Sequence, residues 1–543
     1  MFAIVMVFVL SLLSCSADDM EGSDRNTSDP VQGTNNIIPL PNRVRFGNGT
    51  YTIQSGIVIG AAEKYGKGAE VIQKGLSNIG ITTTISEQSS TAAINYVFDS
   101  NLVGDAYEIS IGENTGVQLM VNSEKSAFYA SQTLRQYLWT SEVSTGEVSL
   151  VAASISDAPS NEYRGFQLDV SRHFFAKEFI YKIIDQMALY KLNNLQIHLS
   201  DDQGWRVVSE KYPLLTEVGG FREFDEYDLW CVDKAKNDSD YNFDPDFVNG
   251  NTYGGFYTKQ DLIDIVDYAA DNYINVIPEI DMPGHMSAAI RAYSWISCNG
   301  AVDWGANFSR PMCVYEDEVM QFSKDIWDEM IAIFPSTRVH IGADEVDKSF
   351  WENDPKAQQF LDDNNWPHIN YIQSYFVNEI TSYLEGKGKK VTAWDDVFVS
   401  NDDDIINEVS STIDIMYWRD YKQDGAIYAA RNGNNIILTP WSWFYLSSDN
   451  TDQNLINMYN FSEVDELNPA VINNAIGYQA CVWTERIPSE AVFEKFVFPR
   501  FQAFSEVAWS KGRDFNSFKR RLSSHLTQMD AVGINYRKPQ FMK

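Results

Sequence analysis

The chain has 543 residues, enough for two domains or for one large domain with a small companion. Its formal net charge of −33 excludes partners held by bulk cationic attraction, nucleic acid and anionic membrane surfaces foremost. Hydrophobic residues make up 44% and aromatics 13%, which suits a full-sized core and equally suits rings that lie against sugar faces.

Residues 1–13, MFAIVMVFVLSLL, are too short to span a bilayer as a folded anchor and read as the apolar centre of a signal peptide, although no Lys or Arg precedes them. The run ends in Leu12-Leu13-Ser14-Cys15, which resembles a bacterial lipoprotein box. Residues 1–15 are therefore expected to be a lipoprotein-type signal with Cys15 lipidated, and 16–35 a disordered tether. This places the protein outside the cytoplasm, in the periplasm or at the outer membrane or cell surface. The plainer alternative is a secreted protein that loses Cys15 with its signal. Cys298 and Cys313 sit in one loop-like segment, a spacing open to a disulfide in an oxidising compartment; Cys231 and Cys481 have no evident partner.

Residues 36–157 read as a small α+β domain. RVRFGNGTYTI holds two short strands around Gly47-Asn48-Gly49, AYEISIGENTGVQLMV a hairpin, and helices are expected at 66–79 and 125–138. No catalytic cluster falls in it. From 158 to 543 strands alternate with helices. Strands are expected at 164–169, 194–199, 274–280, 338–342, 390–394, 413–417, 435–439 and 476–483, with helices such as 177–191, 258–272, 316–334, 367–386 and 490–509 between or after them. Eight such strands predict a (β/α)8 TIM barrel. An open doubly wound sheet is the runner-up, but no GxGxxG or P-loop follows the first strand.

The residues after these strands carry the chemistry: Asp169 and Arg172, Asp201 and Asp202, Asp281 and His285, Asp344 and Glu345, Trp394 with Asp395 and Asp396, Trp418, the run Trp441–Tyr445, then Trp483 and Glu485. In a barrel these ends share one face. Carboxylates and indoles gathered there point to carbohydrate, because a glycosidic bond needs a proton donor at the leaving oxygen and a stabiliser of the anomeric carbon. Asp344 and Glu345 are too close in sequence to flank a sugar from opposite faces, so they are expected to serve different atoms, one protonating the leaving group and the other holding a substrate group that is itself the nucleophile.

RGFQLDVSRHF (164–174), NNLQIHLSDDQGWR (193–206), VIPEIDMPGH (276–285), HIGADEV (340–346), Trp394-Asp395 and VWTE (482–485) together resemble glycoside hydrolase family 20, the β-N-acetylhexosaminidases, and SAFYASQTLRQYLW (126–139) resembles the domain that precedes that family's barrel. The resemblance implies an exo-acting enzyme that removes terminal β-linked GlcNAc or GalNAc from an oligosaccharide or glycoconjugate with retention, the substrate's own 2-acetamido oxygen attacking the anomeric carbon. It implies Glu345 as acid and base, Asp344 orienting the acetamido N–H, Tyr445 donating to its oxygen, and Trp394, Trp418 and Trp483 walling its methyl. Arg172 and Glu485 would bind the 3- and 4-hydroxyls, and His285, supported by Asp201, would hydrogen-bond to the acid. No cofactor is implied, and oligomeric state stays open.

Two departures stand out. The family reads Gly-Gly before the acidic pair, where this chain has Gly342-Ala343. An aspartate that contacts the sugar 6-hydroxyl is replaced by Ser447, which would remove repulsion against a 6-sulfated sugar. Histidines 173, 198, 285 and 340 near strand ends leave a metal centre as a lesser reading, without HxH or HExxH spacing to favour it. A disaccharide-releasing relative, an ordinary two-carboxylate glycosidase and a non-catalytic glycan-binding lipoprotein are the functional alternatives.

Overall fold

The computed structural model describes residues 33–87, 92–300, 302, 308–398, 408–448 and 450–542. Cys15, the signal-like run and residues 16–32 of the expected tether lie outside them.

The N-terminal unit is an eight-stranded mixed sheet with two helices, Gly66–Ser77 and Glu124–Leu138. The second helix starts where Ser123 accepts from the Ser126 backbone N–H and Ser126 reciprocates, and it buries most of its length. The two short strands expected around Gly47 are instead one strand, Arg43–Gln54. Its pairing with Glu147–Asp157 slips between Phe46 and Thr50, so a bulge absorbs the glycine-rich stretch without ending the strand.

The larger unit is a closed parallel barrel: β1 (Tyr163–Asp169), β2 (Asn194–His198), β3 (Asn275–Glu279), β4 (Arg338–His340), β5 (Lys390–Trp394), β6 (Asp414–Tyr417), β7 (Ile436–Leu438) and β8 (Ala475–Val482), with β8 pairing back to β1. Strands β4 and β7 are shorter than the sequence suggests. Helices follow the strands at Lys177–Leu189, Lys259–Asp271, Asp317–Ile333, Asn370–Gly386 and Asp424–Asn432. The helix expected over 490–509 is two, Glu490–Val497 and Arg500–Trp509. Pro499 offers no backbone N–H and keeps Phe498 extended, which ends the first helix.

The N-terminal unit packs under the N-terminal ends of the strands. Arg164, near the start of β1, donates to the Tyr129 hydroxyl at 2.8 Å, and Gln136 donates to the carbonyls of Ile38 and Leu189. The entering segment is fixed there too: Asn36 Nδ2 donates to the Gln136 carbonyl, Leu40 N–H donates to Glu506, and Arg521 pairs with Glu506 at 2.6 Å while donating to the Ile37 carbonyl.

Two long connections stand at the other end. The segment between β2 and β3 carries a three-stranded sheet and the helix Glu226–Ala235, pinned by Asp228, which accepts from Arg222 and lies 3.1 Å from His173 Nε2. The segment between β3 and β4 is closed by a Cys298–Cys313 disulfide, Cα to Cα 5.2 Å. Cys231 and Cys481 are buried and free. Among the described residues no helix is long and apolar enough to cross a membrane.

Candidate active site

Strand register sets the lower half of the site. Asp169 lies beside His198, His198 beside Glu279, and Glu279 beside His340, one residue per strand in a single row. Each histidine in the row therefore meets a carboxylate: His198 contacts Glu279 at 2.9 Å and Asp201 at 2.7 Å, and His340 contacts Glu279 at 3.1 Å. Glu279 also accepts from Trp394 Nε1 at 2.8 Å and from Gln196 at 2.7 Å, so a fully buried carboxylate orients one indole of the site. Burial disfavours charge on His198, yet Glu279 and Asp201 raise its pKa to about 10.

After β4 the backbone turns sharply. Gly342, Ala343 and Glu345 all have positive φ, at 66°, 72° and 46°. Gly342 is obligatory, because a Cβ there would sit 1.9 Å from Asp281 Oδ1. Ala343 adopts a conformation that costs an L-residue about 1 kcal/mol or more. Its N–H donates to Asp281 Oδ1 at 2.9 Å, and its carbonyl accepts from Gln373 at 2.8 Å. The methyl that distinguishes it from glycine is wholly buried. This turn aims Asp344 and Glu345 into one cavity of about 610 Å³.

That cavity is also lined by Arg172, Trp394, Trp418, Tyr445, Trp483 and Glu485. The rings form a continuous wall: Trp394 to Trp483 at 5.8 Å, Trp483 to Tyr445 at 6.1 Å, and Tyr445 stacked on Trp418 at 6.2 Å. Arg172 lies over the Trp483 ring at 4.9 Å and pairs with Asp201 at 2.7 Å. Trp418 Nε1 donates to Asp396 at 2.7 Å, while Asp395 accepts from the Trp418 backbone and pairs with Arg419. Ser447 also lines the cavity, its hydroxyl accepting from the Trp483 N–H at 2.7 Å.

His285 and Asp201 do not line the cavity; they lie beneath it. His285 Nδ1 is 3.1 Å from both Asp201 and Asp202. Burial opposes its charged form, but the charge of Asp201 and the bonds to both aspartates hold its pKa well above the usual histidine value. Burial likewise works against Asp201, and Arg172 and His285 overcome it and hold that carboxyl well below its usual range. The hydrogen bond expected from His285 to Glu345 is not formed: Nε2 stands 3.5 Å from Glu345 Oε2, because the Glu345 side chain reaches outward and is 38% exposed. Asp344 is the buried member of the pair. Burial pushes its pKa up to about 7, with His285 opposing and Asp396 adding to the rise.

The residues that could serve as metal ligands lie close to one another. Atoms of Asp201, Asp202 and His285 lie within 4.8 Å of one another, as do those of Asp281, His285 and Asp344. His173, the fourth histidine of that reading, is held by Asp228 and the Thr484 carbonyl away from these sets.

Several residues of the site were not assigned a part from sequence. Glu279 was signalled by its own position, a carboxylate inside an apolar strand. Asp202, which accepts from Ser287 and from the Ser309 N–H, and Asp396 stand beside residues that were singled out. Phe308, whose ring is 5.3 Å from that of His285, left no signal, since it comes from a loop whose course the sequence does not set, while Trp441 stands in the aromatic run after the seventh strand without a part of its own.

A barrel mouth that pairs acidic side chains with indole walls can grip a sugar and protonate its glycosidic oxygen, and the chain is a glycoside hydrolase. Residues 161–512 match the glycosyl hydrolase family 20 catalytic domain and 34–158 match that family's domain 2; the chain belongs to this family. It is 31% identical to a beta-hexosaminidase of Porphyromonas gingivalis over 99% of this chain and 68% of that protein. It is 30% identical to a beta-N-acetylhexosaminidase of Cellulomonas fimi over 80% of each. With a beta-hexosaminidase of Vibrio furnissii, 29% identical, it spans 64% of that protein's length. Among solved structures, a family 20 exo beta-N-acetylglucosaminidase of Vibrio harveyi in complex with N-acetylglucosamine superposes with a TM-score of 0.79 at 27% identity, covering 94% of this chain and 80% of that one. The beta-N-acetylhexosaminidase of Bacteroides fragilis gives 0.78 at 25% identity, covering 93% and 97%.

Proposed function

We propose that the protein is an exo-acting β-N-acetylhexosaminidase that releases terminal β-linked GlcNAc or GalNAc by substrate-assisted, retaining hydrolysis. The observation that carries this reading is that Asp344 and Glu345, adjacent in the chain, share one cavity with the ring wall of Trp394, Trp418, Trp483 and Tyr445. The third lining carboxylate, Glu485, stands beside Arg172, whose charge it feels directly. The acidic pair thus serves one sugar from one loop, and the nucleophile comes from the substrate.

In the first step the acetamido oxygen attacks the anomeric carbon, the glycosidic bond breaks, and Glu345 gives its proton to the leaving oxygen. Asp344 accepts from the acetamido N–H and balances the positive charge as the oxazolinium ring closes. The Tyr445 hydroxyl donates to the acetamido oxygen, and the indoles exclude water that would open the ring early. In the second step Glu345 takes a proton from water as its oxygen bonds to the anomeric carbon, and the ring opens with overall retention. Arg172 and Glu485 hold the 3- and 4-hydroxyls. Release of one sugar rather than two is supported beyond those residues, where the insertion helix Glu226–Ala235 presents Tyr227 against Arg486, ring to guanidinium 5.9 Å. Tyr227 also feels the charge of Glu485, so in this reading the helix bounds the site on the side of the 3- and 4-hydroxyls.

The test is a panel of aryl glycosides with wild type, Glu345→Gln and Asp344→Asn. Both substitutions lower kcat by about 100-fold or more, since each removes an interaction strongest in the transition state. Full turnover of a sugar lacking the N-acetyl arm would exclude substrate assistance. Disaccharide rather than monosaccharide from a chitin-type oligomer would move the enzyme to the disaccharide-releasing class. We also propose export with a lipid on Cys15; radiolabelled fatty acid incorporated into wild type and not into Cys15→Ala supports it, and unlabelled wild type excludes it.

A further inference from the structure

Asp281 follows β3 and is fully buried. Its Oδ1 accepts from the Ala343 N–H at 2.9 Å. Its Oδ2 is buried with no hydrogen-bond partner, and so is Oδ1 of Asp344. An oxygen of each carboxyl and a ring nitrogen of His285 lie within 4.8 Å of one another. Two ionised carboxylates this close, with two oxygens orphaned away from water, would carry both mutual repulsion and unmet hydrogen-bonding capacity. One proton between them removes both.

We propose that Asp281 is a positioning residue that holds this proton and donates it as a hydrogen bond to Asp344, leaving Asp344 ionised and aimed at the acetamido N–H. The inference rests on the reading of Asp344 as the acetamido-orienting carboxylate. The proton belongs on Asp281 for geometric reasons. Asp344 has the His285 ring at 3.8 Å and a side chain 12% exposed to solvent, both of which favour its charge. Asp281 has no solvent contact and faces Glu279 and His198 as well as His285 and Asp344. On its far side Asp344 faces Asp396 and Glu345. Burial first, then the charge of Asp344, raises the affinity of Asp281 for its proton well above the usual range, in keeping with this arrangement. The turn enforces it: Gly342 lets the Asp281 carboxyl press against the backbone, and the Ala343 N–H fixes which oxygen is left to face Asp344.

Asp281→Asn is the informative variant, because an amide can accept from Ala343 and donate to Asp344 as a protonated carboxyl does. The rate of aryl N-acetylglucosaminide hydrolysis is measured against pH for wild type, Asp281→Asn and Asp281→Ala, with thermal midpoints. Asp281→Asn is expected to keep kcat within about threefold and leave the acid limb in place. Asp281→Ala loses the donor, so Asp344 ionises less readily and the limb moves to higher pH, by about one unit for a lost hydrogen bond to the charged form. If Asp281 is ionised in the wild type, Asp281→Asn removes a negative neighbour and the limb moves to lower pH, which overturns the proposal. Should Asp281→Ala fail to fold, Asp281→Asn alone decides by the direction of its shift. A protonated-carboxyl band present in wild type and lost in Asp281→Asn, seen by difference infrared spectroscopy at neutral pH, is a second expected result; its absence also overturns the proposal. Full activity of Asp344→Asn would instead sink the reading of Asp344 and leave that band untouched, so the two failures are distinct.

Discussion

His285 stands between two pairs of carboxylates, 3.1 Å from Asp201 and Asp202 through Nδ1, and 3.5 Å from Glu345 and 3.8 Å from Asp344 through Nε2. A single ring held charged from below thus presents its other nitrogen to both groups of the proposed chemistry. His285→Ala is expected to lower kcat/KM by about 10 to 100-fold for a poor leaving group. The loss shrinks for a dinitrophenyl glycoside, whose departure needs no proton. Equal losses on both substrates would show that His285 acts on binding alone.

Acid pH acts on the same cluster in two ways. Asp344 titrates above the ordinary carboxylate range because of its burial, so kcat/KM of the free enzyme is expected to rise with pH through that titration, and Asp344→Asn to abolish that limb in its residual rate. Asp201 is held well below 3.8 in the folded state, so its contribution to stability is present above 3.8 and lost as pH falls through the folded value. Urea midpoints therefore decline below about pH 4, and Asp201→Asn flattens that decline.

The turn before the acidic pair separates two small residues by geometry. Gly342→Ala drives a methyl into the Asp281 carboxyl and is expected to cost more than about 1 kcal/mol and most of the activity. Ala343→Gly relieves a left-handed conformation at the expense of chain entropy, so the thermal midpoint stays or rises and the rate is retained. Thermal melts and steady-state assays of the two variants suffice.

Trp441 is 54% exposed at the cavity rim, edge-on to Tyr421 at 6.2 Å, and Tyr421 is edge-on to Trp418 at 6.0 Å. The aromatic wall thus continues outward to the cavity rim. Trp441→Ala is expected to raise KM for a chitin-type oligomer by about 5 to 50-fold, the worth of one lost stacking face, while a small aryl glycoside changes little. Equal change on both would place Trp441 against the terminal sugar instead.

The barrel was legible because its strands are buried on both sides and read as short apolar runs closed by polar residues, as in NLQIH and NVIPE. The strand-end residues followed from that, since one face collects them. What the sequence hid are relationships set by register and by turns. Nothing in the order of residues tells that Glu279 meets two histidines and the Trp394 indole, or that Gly342 lets Asp281 approach Asp344. The split at Pro499 was visible in the chain, and the long apolar periodicity around it masked the break. The stretch Gly47–Gly49 reads as a break between two strands and forms a bulge within one, because glycine and asparagine suit both.

The contacts that seat Asn36 to Leu40 lie under the starting ends of the strands, and the cavity opens above their finishing ends. The described chain therefore enters the fold on the side away from the cavity mouth. Immobilisation at the start of the described chain is thus expected to leave turnover of a bulky glycan unhindered.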